Sequence, residues 1–147
     1  MSTRARILIV EDDPDDSALL LRMLVTAKLD RHVSLITDGA EAWNFLSDPT
    51  NAIESLVAIF LDLNLPSMGG LDLIGNMLGN PRTANVPVIV MTSSNSPSDL
   101  EECQRLGVSG YVRKPITREK FIEIVAESYF DPGQASRISD LPADYEI

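Results

Sequence analysis

Apolar runs of three to six residues recur along the chain, and each stops at a polar residue. Ile7-Leu8-Ile9-Val10 stops at Glu11-Asp12. Val33, Leu35 and Thr37 make a weaker alternating run. Leu56-Val57-Ala58-Ile59-Phe60-Leu61 is unbroken and stops at Asp62. Val86-Pro87-Val88-Ile89-Val90-Met91 stops at Thr92-Ser93-Ser94, and Gly110-Tyr111-Val112 stops at Arg113-Lys114-Pro115. Runs this short and this apolar suit strands covered on both faces, as in a parallel sheet.

Between the runs the apolar spacing is helical. Asp13 is a predicted N-cap with Pro14 at the first helical position, and Leu19, Leu20, Met23, Leu24 and Ala27 share one face. Asp38-Gly39-Ala40-Glu41 resembles a capping box ahead of Ala42, Phe45 and Leu46, and Asp48-Pro49-Thr50-Asn51 ends that helix. A third helix spans Gly70 to Leu78 and closes at Gly79-Asn80-Pro81. Ser96-Pro97-Ser98-Asp99 opens a fourth, with Leu100, Cys103 and Leu106 inward and Gly107 as the stop. A fifth runs from about Thr117 to Tyr129 with Phe121, Ile124 and Val125 inward, and residues 131–147 form an extended tail. Strands alternating with helices predict an α/β fold: one five-stranded parallel sheet, helices on both faces, and a single domain.

A charge inside such a sheet is costly unless it is paired, so the polar residues belong at strand exits. Parallel strands put all the exits on one edge. In the common order 2-1-3-4-5, strands one and three meet at the switch point where ligands bind. Glu11, Asp12 and Asp62 then share a crevice, with Thr92 and Lys114 on its flank. Three carboxylates so close need a raised pKa or a bound cation. Hard oxygen ligands in a wet cleft favour Mg2+, and the Asn64 backbone carbonyl could complete its ligands. Lys114, the Thr92 hydroxyl and nearby N–H groups could hold phosphoryl oxygens, with Asp62 as nucleophile. Asp15 and Asp16 read more simply, as compensation of the helix dipole.

Composition narrows the partners. A net charge of −10 argues against nucleic acid and against anionic membranes. Cys103 is the one cysteine, so no internal disulfide can form, which suits a reducing compartment. The first apolar run is too short for a signal sequence or a membrane span, and a cytoplasmic protein is expected.

The segments Ile7 to Asp13, Leu61 to Pro66, Met91-Thr92-Ser93 and Tyr111 to Pro115 together resemble a response-regulator receiver domain, the flavodoxin-like (βα)5 unit of two-component signalling. The resemblance covers residues 5 to 130, and the domain is assigned to 1–130 with the tail at 131–147. It implies that Asp62 accepts a phosphoryl group from a phosphohistidine on a sensor histidine kinase. It implies Mg2+ held by Asp12 directly, by Glu11 through water, by Asp62 and by the Asn64 carbonyl. Thr92, Ser93 and Lys114 would bind the phosphoryl group, and the Lys114–Pro115 bond would be cis. Thr92 and Tyr111 would switch together and reshape the face made by the fourth helix, fifth strand and fifth helix. Such a protein phosphorylates and dephosphorylates itself without being a turnover enzyme.

The 17 residues after Phe130 are too few for an output domain, so a stand-alone receiver is expected. The Asp-Leu-Asn-Leu-Pro form and the Asp48-to-Ser55 insertion resemble the small response regulators that partner phytochrome histidine kinases. That implies a homodimer through the fourth-helix to fifth-helix face, with Tyr129 and Phe130 as candidates there. A phosphorelay intermediate or phosphate sink is the alternative within the family. An aspartyl-phosphate phosphohydrolase would carry a second aspartate where Asn64 stands, plus a cap domain. A flavodoxin-like electron carrier would need a phosphate-cradling loop where Glu11-Asp12-Asp13 would repel phosphate. A scaffold with a decayed site ranks low, because every required residue type is present. His32 reads as a surface residue, Trp43 as partly buried packing and Cys103 as core.

Overall fold

The computed structural model describes residues 6–26, 33–54, 56–121 and 123. In chain order the elements are β1 (Arg6–Val10), α1 (Pro14–Thr26), β2 (Val33–Ile36), α2 (Gly39–Ser47), β3 (Leu56–Asp62), α3 (Gly70–Leu78), β4 (Val88–Thr92), α4 (Pro97–Arg105) and β5 (Gly110–Arg113). A fifth helix starts after Thr117, whose Oγ1 accepts from the Lys120 N–H at 3.2 Å. Ile124, Val125, Tyr129, Phe130, His32 and the tail 131–147 lie outside the described residues.

All strand pairs are parallel, in the order β2-β1-β3-β4-β5. The alternation within each strand divides the core in two. Leu8, Val10, Ile59, Leu61, Val88 and Val90 face α2, α3 and α4, where Ala42, Leu46, Leu73, Ile74, Met77 and Cys103 meet them. Ile7, Ile9, Phe60, Ile89 and Met91 face the other way, toward Leu20 and Leu24 of α1 and toward Phe121. Phe60 and Phe121 stack with ring centroids 6.3 Å apart. Each fully buried side chain of this size stabilises by about 1.5–3 kcal/mol, which is why β3 can be apolar on both faces.

The caps are those the sequence predicts. Asp13 Oδ1 accepts from the N–H groups of Asp15 and Asp16, Asp38 Oδ1 from that of Glu41, and Ser96 Oγ from that of Asp99. Helix α4 closes at Leu106 and Gly107, with φ +74° at Gly107. The Gly107 N–H reaches Gln104 O and the Val108 N–H reaches Cys103 O, a paired closure that needs the left-handed residue between them.

Three expectations are corrected. Leu100 is exposed, not inward. Strand β4 begins at Val88, because Val86 donates to Thr83 O in a turn and Pro87 has no N–H, although the Pro87 carbonyl still accepts from Ile59. Strand β2 ends at Ile36 and leaves Thr37 outside. Trp43 is half-buried and Cys103 fully buried, as expected. Among the described residues, no helix is long and apolar enough to cross a membrane.

Candidate functional site

The register sets the site. Val10 pairs with Leu61, Asp62 with Met91, and Thr92 with Arg113. Glu11, Asp62, Thr92 and Lys114 therefore emerge side by side at the carboxyl edge. The Glu11 N–H donates to Ile36 O and the Lys114 N–H donates to Thr92 O, so both residues stay tied to the sheet just past their strands. The Lys114–Pro115 bond is cis, as expected.

Lys114 is the hub. Its ammonium donates to Glu11 Oε1 at 2.6 Å, to Asp16 Oδ2 at 2.7 Å and to Asp62 Oδ2 at 3.0 Å. An ammonium has three protons, so all are in use. The second oxygen of Asp62, Oδ1, accepts from the Asn64 N–H at 3.0 Å. Glu11 Oε2 accepts from the Asp13 N–H at 3.2 Å. Glu11 and Asp62 are buried, whereas Asp12 is exposed at the mouth.

Three carboxylates thus share one cation, with Asp12 close by at the mouth. Burial pushes Glu11 up to about 7, helped by its hydrogen bond with Asp62 and by that residue's charge, with Lys114 opposing. Burial also works against the charge on Lys114, but its hydrogen bonds to Asp16, Glu11 and Asp62 outweigh this and hold the ammonium above the ordinary lysine range.

One carboxylate oxygen each from Glu11, Asp12 and Asp62 lie within 4.8 Å of one another. That donor set is all hard oxygen and open on the Asp12 side, which fits a small divalent cation that keeps several waters. Thr92 is fully buried at the end of β4, and its Oγ1 accepts from the Ser94 N–H at 3.0 Å. Ser94 Oγ donates in turn to Asp99 Oδ2 at 2.6 Å, linking this loop to the first turn of α4. Ser93 and Asn64 are exposed beside the site. Tyr111 is half-buried on β5 and packs against the α2–α4 core.

The loop after Asp62 is fixed from its far end. Ser67, at φ 69°, donates through its hydroxyl to Asp38 Oδ2 at 2.6 Å, and the Gly39 N–H donates to Pro66 O at 3.1 Å. Asp38 thereby caps α2 and holds the β3–α3 loop at once.

Sequence reasoning brought Glu11, Asp12, Asp62, Thr92 and Lys114 together correctly but set Asp16 aside. Asp16 occupies the third position of α1, two places beyond Pro14. Helical side chains lean toward the helix N-terminus, so a first-turn residue reaches back over the sheet edge. That lean was the available signal.

The model of the response regulator receiver domain family matches residues 7–126. The osmosensing histidine protein kinase SLN1 of Saccharomyces cerevisiae is 30% identical over 125 residues, which cover 85% of this chain but 10% of the kinase. Response regulator Rcp1 of Synechocystis sp. is 34% identical over 110 residues, covering 74% of this chain and 75% of Rcp1. The Mn2+-bound form of Rcp1 superposes with a TM-score of 0.70 at 30% identity, over 82% of this chain and 88% of that one. The bacteriophytochrome response regulator RtBRR superposes with a TM-score of 0.77 at 29% identity, over 97% of this chain and 86% of that one. A family match over most of the chain, on a 2-1-3-4-5 sheet with an acidic cluster and a lysine at its carboxyl edge, identifies the chain as a member of the response regulator receiver domain family of two-component signalling.

Proposed function

We propose that Asp62 accepts a phosphoryl group from a phosphohistidine on a sensor histidine kinase, in a Mg2+-dependent reaction. The observation that carries this reading is the placement of Asp62. It is buried, it shares Lys114 with Glu11, and one of its carboxylate oxygens lies within 4.8 Å of one from Asp12.

The chain's own groups divide the work. An Asp62 carboxylate oxygen attacks phosphorus, the P–N bond breaks, and the imidazole leaves with its electron pair. The Asn64 N–H holds Asp62 Oδ1 and fixes the carboxylate plane. Lys114 takes a phosphoryl oxygen as a point charge. Glu11, Asp12, Asp62 and the Asn64 carbonyl would hold Mg2+, which neutralises charge on the phosphoryl oxygens. Thr92 turns its hydroxyl from the Ser94 N–H to the phosphoryl group, Ser93 supports it, and Tyr111 follows inward. The readout is the face of α4, β5 and the fifth helix.

The protein serves its own acyl phosphate and is not a turnover enzyme. The bacteriophytochrome response regulator among its structural relatives supports a phytochrome kinase as the donor, and the face of α4, β5 and the fifth helix is the proposed homodimer surface. With phosphoramidate as a small P–N donor and Mg2+ present, one phosphoryl group per chain is expected, with no turnover of p-nitrophenyl phosphate. Sustained turnover of that ester would favour a phosphohydrolase instead.

The site also sets a pH dependence. A proton on Glu11 competes with Mg2+, so apparent Mg2+ affinity should rise with pH, by up to about tenfold per unit, and level off above the raised Glu11 pKa of about 7. Calorimetric titration of Mg2+ at pH values of about 5.5, 6.5 and 8 measures this. A flat profile over that range would contradict it.

A further inference from the structure

We infer that Asp16 is a positioning residue that holds Lys114 until a phosphoryl oxygen displaces it. The inference rests on the proposed phosphoryl chemistry of Asp62 and goes beyond it. The Lys114 ammonium is saturated by Glu11, Asp16 and Asp62. It can meet a phosphoryl oxygen only by releasing one of the three.

The three partners differ in what release costs. The side chain of Glu11 is 1% exposed and that of Asp62 7%, but that of Asp16 is 37% exposed. A buried carboxylate that gives up its contact with the ammonium cannot turn to water instead. Asp16 turns to water. It is therefore the partner that leaves, and its 2.7 Å contact is the one an incoming phosphoryl oxygen has to beat.

Asp16 is also independent of the strand edge. It is carried by α1, whereas Glu11 directly follows β1 and Asp62 ends β3. Its exchange would uncouple the first turn of α1 from Lys114 without disturbing the sheet. Asp16 would thus set how strongly the resting site resists phosphorylation.

The test is the affinity of the Mg2+-loaded protein for beryllofluoride, a non-covalent mimic of a phosphoryl group, in the wild type and in Asp16→Asn, Asp16→Ser and Asp15→Asn. Asp15 is exposed, carries the same charge and makes no contact with Lys114 among those described, so it controls for general repulsion. Both Asp16 variants should bind about fivefold tighter, the size of one partly exposed ion pair, and Asp15→Asn should stay within about twofold. Asp16 variants that bind no tighter than Asp15→Asn overturn this inference alone. Failure of the wild type to bind beryllofluoride overturns the phosphoryl reading and this inference with it.

Discussion

Replacing Lys114 with methionine should destabilise the Mg2+-free protein by about 3–5 kcal/mol at neutral pH, the cost of removing one partner from a buried ion pair. The side chain of Lys114 is itself only 12% exposed, and it is the cation against which Glu11 and Asp62 are buried. Methionine fills similar volume, so the loss is electrostatic and not a cavity. The penalty depends on pH in a defined sense. A carboxyl whose folded pKa is raised stabilises the fold below its unfolded value and loses that contribution as pH rises through the folded value. For Glu11 the window runs from 4.5 to about 7 in the native protein. Without Lys114, which opposes the rise, the window extends further up. The variant should therefore be near wild type in acid and weak in base, and Mg2+ should recover most of the loss. Urea denaturation at acid and alkaline pH, with and without Mg2+, reads all three effects. A pH-independent loss below about 1 kcal/mol would show that the cluster is not held by this lysine.

The second large effect is expected at Gly39. A Cβ there would lie 1.8 Å from the Met68 carbonyl oxygen and 2.8 Å from its carbon. Both are backbone atoms, so no side chain can turn aside. The Gly39 N–H also holds Pro66 O, so moving α2 away breaks the contact that fixes the β3–α3 loop. Gly39→Ala should cost about 3 kcal/mol or more, at the upper end for overpacking, and should weaken Mg2+ binding by shifting the segment that carries Asn64. Gly75→Ala is the control. Nothing lies within 4 Å of the added Cβ in the interior of α3. There alanine should stabilise by about 0.5–1 kcal/mol. Thermal or urea melts of the two variants should move in opposite directions. A neutral Gly39→Ala would mean that α2 does not hold this loop.

Much of this arrangement was legible in the chain. Strands buried on both faces leave unbroken apolar runs, so the residues that end them stand out, and Glu11, Asp62, Thr92 and Lys114 could be placed on one edge before any geometry was known. Caps are equally local, and Asp13, Asp38 and Ser96 each accept from the first helical turn. What escaped depends on direction. Asp16 carries a local reading, dipole compensation, that is sufficient on its own, and only the angle of α1 over the sheet brings it to Lys114. Leu100, Cys103 and Leu106 recur every three residues. Such a stripe drifts by about 60° per step on a helix of 3.6 residues per turn. Only the middle residue, Cys103, is fully buried, while Leu100 turns outward. The latch between Asp38 and Ser67 joins residues 29 apart with no pattern between them. It follows from the packing of α2 beside the loop and from nothing in either segment.

The most direct measurement is the intact mass of the protein after incubation with acetyl phosphate, with Mg2+ or with a chelator, for the wild type and for Asp62→Asn. The account predicts a single phosphoryl adduct on the wild type with Mg2+, none with the chelator and none on Asp62→Asn. An adduct that persists in Asp62→Asn, or a wild type that binds Mg2+ and stays unmodified, would contradict it.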